Sequence, residues 1–574
     1  MRESSTRNTD QPTERDTRGL VPIVFGVTGH RDIPPEDVPK LEAAVINQLK
    51  CIETNHSSSP KVLLTGLAEG ADRLVARCAL ELGWSLGAVL ALPIAEFEKD
   101  FETETSLAEF RDLLGRCAWV REVAPAGCSR PECYELVGDW VSIHAQWLIA
   151  FWDGTQTGKK GGTGYVVKLF REGRSTSRPV LPDTGPVIQI VTRRQSDVSA
   201  IPLRDVGEVK RLMPNPLGMG RKEHEKHEEE RWTKVLSLIN AFNKSAVKHR
   251  KHDLNITVAR EHLNRNQPLP DAALPCSAWN ASWLFAYADY MAGRLQRTRV
   301  RLFLFILALS IFGLGFEKYY SGPADGLGWS AAGWLLGALI CGAVALLLAK
   351  FPIFFRETDY MDYRSLAEAC RVQYFWKRAG INLCAAEFHL FDQRDELEWI
   401  RQAVRTTELG PSSSPPPQGE ELLKSVRDCW ITDQKGYYWT QYKKHERHAK
   451  FQNALALWLF CLAGLVILVA IGLQVSGDNV LVKWLPFSYG SLLTLSATIK
   501  VYLFWNGHEE HAVSFLRMWQ SMEVAERNVN EGLDGHSDRS DICAILRDVG
   551  KAALEENSDW LLLHRDRLIK PPIS

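Results

Sequence analysis

Apolar positions along this chain follow two regimes. Up to about residue 192 they form short, continuous runs rich in β-branched and aromatic residues: 21–27, 61–65, 87–93, a brief one near Trp119 and Val120, 147–152 and 186–191. Runs of that length without polar alternation are the pattern of strands buried on both faces of a parallel sheet. Between them lie amphipathic stretches of helical period. In 38–49 the apolar residues Leu41, Val45, Ile46 and Leu49 share one face. Further helices are expected after Gly70 through Leu82, in an acidic stretch ending at Leu114, over 132–146, and after Gly164. Strands alternating with helices, with glycine turns at strand C-termini, predict an α/β fold: a Rossmann-like, doubly wound parallel sheet over 20–195.

Residues 196–280 are less regular and read as a linker or helical insert. The charge run 221–231 is a solvated helix face or linker, 235–242 a short helix, and the stretch to Cys276 is rich in loop-forming Asn and Pro. Residues 282–301 form a helix with a cationic end: Arg294, Arg297, Arg299 and Arg301.

The second regime consists of four long apolar runs, read as membrane spans over about 300–317, 329–349, 454–475 and 484–505. Each approaches the roughly 20 residues needed to cross a bilayer. They pair into two hairpins, turning near Gly322-Pro323 and Gly477-Asp478, and the second span carries Gly333-x-x-x-Gly337, a close-packing pattern. The expected fold after the α/β domain is therefore an all-α membrane domain of four transmembrane helices with long cytosolic helical extensions. Its segments are 281–410, a Ser/Pro linker at 411–419, and 420–574. Basic residues lie before the first run, after the second (Lys350, Arg356, Lys377, Arg378) and before the third (Lys443, Lys444, Arg447, Lys450). The hairpin loops carry only Lys318 and Lys483, so the positive-inside rule places both termini in the cytoplasm. Trp329, Trp334, Trp484 and Trp505 read as interface anchors and Lys500 as a snorkelling residue.

Composition changes this picture little. The net charge of −1, from 68 basic and 69 acidic residues, gives no reason to expect nucleic acid as a partner. Twelve cysteines without a C-x-x-C pair read as reduced thiols, not as a disulfide scaffold or zinc site. Residues 1–19 are polar, lack the apolar core of a signal peptide, and read as a disordered lead.

Candidate chemistry sits at the strand ends. After the first strand, Gly26 and Gly29 let the backbone approach an anion, and Thr28, His30 and Arg31 are donors for it. After the second, Thr65 and Gly66 end the strand and Gly70 opens the next helix. Glu69 and Asp72 are acceptors for ribose hydroxyls or a base, and Arg73 is a partner for phosphate; helix capping is the other reading of Asp72. Asp153-Gly154 is a turn whose carboxylate is either a contact or a turn former. Gly161, Gly162, Thr163 and Gly164 offer backbone N–H groups at a helix start, with Lys159 and Lys160 just before them. The histidine pairs His224/His227, His445/His448 and His508/His511 are each three apart, a spacing that can put two imidazoles on one helix face. No third ligand accompanies them, and no metal site is expected.

The order G-x-T-G-H-R (26–31), T-G-L-A-E-G-A-D (65–72), W-D-G (152–154) and G-G-T-G (161–164) resembles the SLOG superfamily, which includes the DNA-processing A proteins and the lonely-guy phosphoribohydrolases. The resemblance covers about the first third of the chain and implies a nucleotide-binding Rossmann-like domain. Lonely-guy enzymes carry P-G-G-x-G-T-x-x-E, whose glutamate works on the N-glycosidic bond; here Tyr165 stands at the threonine position and Lys168 at the glutamate position. A lysine there would oppose an oxocarbenium-like charge, which favours binding over hydrolysis. Glu69 or Asp153 are the substitutes if hydrolysis occurs. The hairpin layout together with Tyr363-Arg-Ser-Leu-Ala-Glu-Ala-Cys-Arg371 is similar to SLATT membrane domains, which accompany SLOG domains in bacterial conflict systems.

These readings lead to one expectation: a homo-oligomeric sensor-effector of the bacterial inner membrane, with a nucleotide-type signal and the lipid bilayer as partners, no cofactor, and a pore or membrane perturbation as output in anti-phage defence. A membrane-tethered nucleotide hydrolase and a nucleotide-regulated channel or transporter are the rivals.

Overall fold

The computed structural model describes residues 17–125, 127–156, 160–173, 184–197, 201–215, 222–264, 274–320, 357–389, 394–411, 419–476, 492–493, 495–497, 499–500, 507–536 and 538–566. The second expected span, both hairpin turns, most of the fourth span, most of the Ser/Pro linker and most of the N-terminal lead lie outside these residues.

The first apolar run becomes β1 (Ile23–Gly29), whose first five residues are all buried. It is followed by α1 (Val38–Asn55), β2 (Lys61–Thr65), α2 (Ala71–Glu81), β3 (Ser85–Leu90), α3 (Glu104–Gly115), β4 (Trp119–Glu122), α4 (Arg130–His144), β5 (Trp147–Trp152), α5 (Thr163–Glu172) and β6 (Val187–Val191). All six expected strands are present, with boundaries shifted by a residue or so at most ends. A seventh, β7 (Val209–Leu212), pairs antiparallel with β6 at the sheet edge. Its Val-Lys-Arg-Leu sequence is too short and too charged to signal a strand by itself, and such charged edge strands discourage pairing with a second sheet.

The sheet order is β4-β3-β2-β1-β5-β6-β7, parallel except for β7. From β1 the chain steps outward through β2, β3 and β4, then returns to lay β5 on the other side of β1. The order therefore reverses between β1 and β5, whose register pairs Gly29 with Phe151. Helices cover both faces. Val24 joins Val141, Ala145, Leu148, Val166 and Phe170 in one core layer under α4 and α5. Gly26 belongs to that face, since a Cβ there would stand 2.4 Å from Val141 Cγ1. On the other face Phe25 packs against Trp84, ring centroids 5.5 Å apart, and a Cβ at Gly29 would meet Ala71 Cβ of α2 at 2.3 Å.

The charge run and the short helix expected after residue 220 are one helix, α6 (Lys222–His249). Its buried stripe, Trp232, Val235, Leu236, Ile239, Phe242 and Ala246, has helical spacing that the polar N-terminal turns obscure. Asn243 on that stripe brackets the start of β1: its side chain donates to Val21 O (2.7 Å) and accepts from Val21 N (2.9 Å). The segment read as loop before Cys276 also contains a helix, α7 (Asp253–His262). Next come α8 (Cys276–Tyr320), α9 (Glu357–Ala379), α10 (Arg394–Thr406), α11 (Glu420–Val426), a π-helical turn Arg427–Thr432, α12 (Asp433–Ser476), α13 (His508–Glu531) and α14 (Arg539–Asp566).

The chain forms two compact units. The first comprises 1–287 and 366–419, the second 288–365 and 420–574. The chain leaves the first unit within α8, re-enters it within α9 and leaves it again after Gly419. In the first unit α10 packs on α6, with Phe242 and Trp399 5.9 Å apart and Arg231 Nη2 3.7 Å from Glu398 Oε2. In the second, α12 and α13 pair through Trp439 and Trp519, whose ring centroids are 4.8 Å apart. There Ser365 also donates to Asn557 Oδ1 (2.9 Å), joining α9 to α14.

Among the described residues one helical stretch, Glu420–Gly472, is long and apolar enough to cross a membrane. Only 17% of its most apolar stretch is buried within the protein. Large side chains along it face outward, among them Leu457, Trp458, Phe460, Leu465 and Leu468.

Candidate functional site

A sheet whose strand order reverses leaves a crevice beyond the C-terminal ends of the strands at the reversal, because the flanking connections diverge to opposite faces. Here a cleft of ≈ 550 Å³ lies there. β1 delivers Thr28, Gly29, His30, Arg31 and Asp32; the β2–α2 connection delivers Gly66 and Asp72; Gly161, Gly162, Thr163 and Gly164 enter at the start of α5.

The floor is a hydrogen-bonded set. His30 is buried, and its Nε2 accepts from Asp153 N at 3.3 Å. Burial, aided by the nearby Arg194 charge, lowers the His30 pKa despite the opposing pull of Asp153, so its imidazole is neutral at pH 7. Asp153 is fully engaged: Thr155 N and Oγ1 donate to Oδ1 (2.8 and 2.6 Å), and Arg194 Nε lies 3.2 Å from Oδ2. It serves chiefly as a turn former and as the anchor for Arg194. Gly154 continues that turn at φ +91° without reaching the cleft. Burial works against the Asp32 carboxylate, but Ser196 Oγ donating to it at 2.6 Å, backbone N–H donors and the Arg194 charge together lower its pKa.

Asp72 behaves differently. Its carboxylate lies at the foot of α2, accepts from Ala68 N at 3.4 Å, and crowds Gly66. Burial raises its pKa to about 6, against the opposing influence of the Ala68 N–H and of Arg31. The guanidinium of Arg31 lies 5.1 Å from the ring centroid of Tyr134, whose hydroxyl donates to Asp100 Oδ2 at 2.6 Å. Burial works against the Arg31 charge, but Tyr134, Asp72 and Asp100 together raise its pKa. Arg130, ion-paired to the same Asp100, adds a cation to this wall. On the other wall, Lys160 is 3.6 Å from Glu135 Oε2, beside the N-terminus of α5.

Glycine is required at the joints. Gly70 has φ +78°, and a Cβ there would lie 2.5 Å from both His30 O and Arg31 O, so the two arms of the site touch only through glycine. Gly161, at φ +72°, would press a Cβ to within 3.2 Å of Glu135 N.

The sequence-predicted residues thus divide. Thr28, Gly29, His30, Arg31, Gly66, Asp72, Gly161, Gly162, Thr163 and Gly164 line the cleft. Gly26 lies within the sheet under Val141. Thr65 is buried and accepts from Leu67 N, holding that residue at φ 53°. Glu69 pairs with Ser106 Oγ, on the α3 side. Arg73 also turns to α3: its Nη1 donates to Ser106 O and Glu109 Oε2, both at 2.9 Å, and its Nε to Leu67 O. It is a buried arginine turned away from the cleft. Lys168 is exposed and pairs with Glu172 at 3.9 Å, so it does not set the charge of the cleft, and the argument from a lysine opposing positive charge lapses. Sequence reasoning passed over Arg130, Tyr134, Thr155 and Arg194. Thr155 directly follows the Asp153-Gly154 turn, whereas Arg130, Tyr134 and Arg194 lie far along the chain from the glycine turns and only the fold carries them there.

Two of the histidine pairs meet across α12 and α13, with His445 Nδ1 and His508 Nδ1 3.0 Å apart. Burial above all lowers His445 to about 4 and lowers His508 as well, so that contact is between uncharged rings. Among the described residues no three His, Cys, Asp or Glu side chains are grouped to hold a metal ion. The described cysteines are all free thiols.

No protein-family model matches this chain. A search of curated proteins likewise finds none that matches it.

Proposed function

We propose that the protein is a membrane-bound sensor-effector whose α/β domain binds a nucleotide or nucleotide-derived signal. The observation that carries this reading is the cleft at the β1/β5 strand reversal. Its rim combines Arg31, Arg130, Lys160 and Arg194 with the glycine-rich N-terminus of α5, a combination suited to phosphate. Its floor offers Asp32 and Asp72 as acceptors for hydroxyls or base edges.

The helical region is the output in this reading. It would cross a bacterial inner membrane four times with both termini cytoplasmic. The outward-facing apolar surface of Glu420–Gly472 supports membrane insertion, and the positive-inside pattern supports the orientation. Ligand would act through its different affinity for two arrangements of a homo-oligomer, opening a pore or perturbing the bilayer. The place in anti-phage defence rests on the resemblance to SLOG and SLATT domains.

The test is equilibrium binding of a nucleotide panel to the detergent-purified full chain, followed by dye release from vesicles. A nucleotide that binds and triggers release supports the proposal. Binding without release refutes the effector half, and no binding by any nucleotide refutes the sensor half.

One observation favours a second reading, a membrane-tethered phosphoribohydrolase. Asp72, its pKa raised to about 6, can hold or yield a proton near neutral pH inside the same cleft. Release of free base from nucleoside monophosphates, lost in Asp72→Asn, would establish it.

A further inference from the structure

The helix α12 changes character along its length. From about residue 454 onward it is apolar and turned outward. In the three turns before that, Lys443, Lys444, Arg447 and Lys450 are all exposed. Lys443, Arg447 and Lys450 recur at helical spacing and, with Glu446 and Phe451, line one shallow hollow. A rise of 1.5 Å per residue spreads these three cations over about 10 Å of helix.

The hollow has a polar end and an apolar end. Lys443 Nζ stands 4.6 Å above the Trp439 ring, which fixes one cation at the far end. Lys450 is 2.8 Å from Glu446 Oε1, the one carboxylate lining the hollow. Three exposed cations against that carboxylate leave an excess of positive charge in the hollow. Phe451, 64% exposed, closes the end nearest the apolar stretch. On the neighbouring helix, Glu509 is turned to Asn453, which donates to it at 2.7 Å.

We propose that this hollow binds the headgroup of an anionic phospholipid, its phosphate among Lys443, Arg447 and Lys450 and its acyl chains along Phe451 and the outward-facing apolar side chains beyond. The inference rests on the reading of this helix as membrane-spanning. A free phosphate would use the cations but leave Phe451 and the apolar face without a role. Lys450 lies about one turn before the apolar stretch, Arg447 about two and Lys443 about three, so the cations run outward from the level at which headgroups meet a spanning helix. Each such cation near an anionic surface strengthens binding about fivefold.

Native mass spectrometry of the full chain in detergent, titrated with phosphatidylglycerol or phosphatidylcholine, tests this. The expected result is preferential retention of phosphatidylglycerol by about tenfold or more, lost in the triple variant K443Q/R447Q/K450Q and kept in K443R/K450R. Equal retention of both lipids, or an unchanged preference in the triple variant, overturns the proposal. So does displacement of the lipid by inorganic phosphate at comparable concentration, which would make this a phosphate site. Resistance of the chain to carbonate extraction from phosphatidylcholine vesicles reports membrane insertion separately. A chain that is extracted loses the membrane reading and the lipid site together; a chain that resists extraction yet shows no lipid preference loses the site alone.

Discussion

His144 Nε2 lies 3.3 Å from Glu408 Oε2, joining the last residue of α4, a helix that lines the cleft, to a carboxylate 264 residues further along the chain. Lys377 of α9 is 2.5 Å from the other Glu408 oxygen, to which Gln373 also donates at 3.1 Å. Arg121 at the sheet edge donates to the backbone carbonyls of Glu408 and Gly410. This buried knot holds the returning segment of the first unit against the α/β fold.

Burial opposes ionisation of Glu408, but His144 and Lys377 overcome it and hold the carboxylate well below the usual glutamate range. Its contribution to stability is therefore present above the ordinary glutamate value and is lost as pH falls through the depressed folded one. Glu408→Gln leaves Lys377 buried beside a neutral partner, and breaking such a pair costs about 3–5 kcal/mol. The thermal midpoint of the full chain, followed by tryptophan fluorescence, should fall at pH 7. The gap to the unsubstituted protein should narrow on acidification.

Asp72 has the opposite sign. A carboxyl with a raised folded pKa disfavours the folded state as pH rises from about 4 through 6. Asp72→Asn should raise the thermal midpoint at pH 7.5 and have little effect at pH 4. The same change removes a negative charge from the cleft. At pH 7.5 it should tighten the binding of a phosphate-bearing ligand, and the advantage should fade below pH 6. Calorimetric titration at both pH values measures this.

Arg31 and Arg73, both read from the sequence as phosphate partners, have separable roles. Arg31→Ala should weaken anionic ligand binding by about 1.5–3 kcal/mol, the range for a charge-assisted hydrogen bond, with little change in midpoint. Arg73→Met should do the reverse. It removes the bonds to Leu67 O, Ser106 O and Glu109, lowering stability by about 2 kcal/mol or more while sparing affinity in the protein that remains folded. Equal effects on binding would put Arg73 back in the cleft.

Gly70→Ala should be among the most damaging substitutions in the α/β domain. It combines φ +78° with a Cβ placed 2.5 Å from two backbone carbonyl oxygens, which cannot rotate away. Loss of about 3 kcal/mol or more, with loss of ligand binding, is expected in denaturant titration. Gly83→Ala is the control: its φ of +75° is similar, but nothing lies within 4 Å of the added carbon, so the loss should be clearly smaller.

The local order of apolar and polar residues determined the α/β class, six strands, most of the flanking helices, and the glycine turns that line the cleft. Strand burial and helix amphipathicity are properties of neighbours a few residues apart, and they are readable for that reason. Tertiary structure decided what depended on distant partners. It turned Glu69 and Arg73 toward α3, set Lys168 in solvent, and brought Tyr134, Arg130 and Arg194 into the wall of the cleft. It also drew α6 into one helix, its polar first turns continuous with a stripe that packs inward, and returned 366–419 to the first unit. A side chain's direction, and the charges and burial that set its pKa, depend on packing between segments far apart in the chain. Those relationships have no local signature in the order of residues.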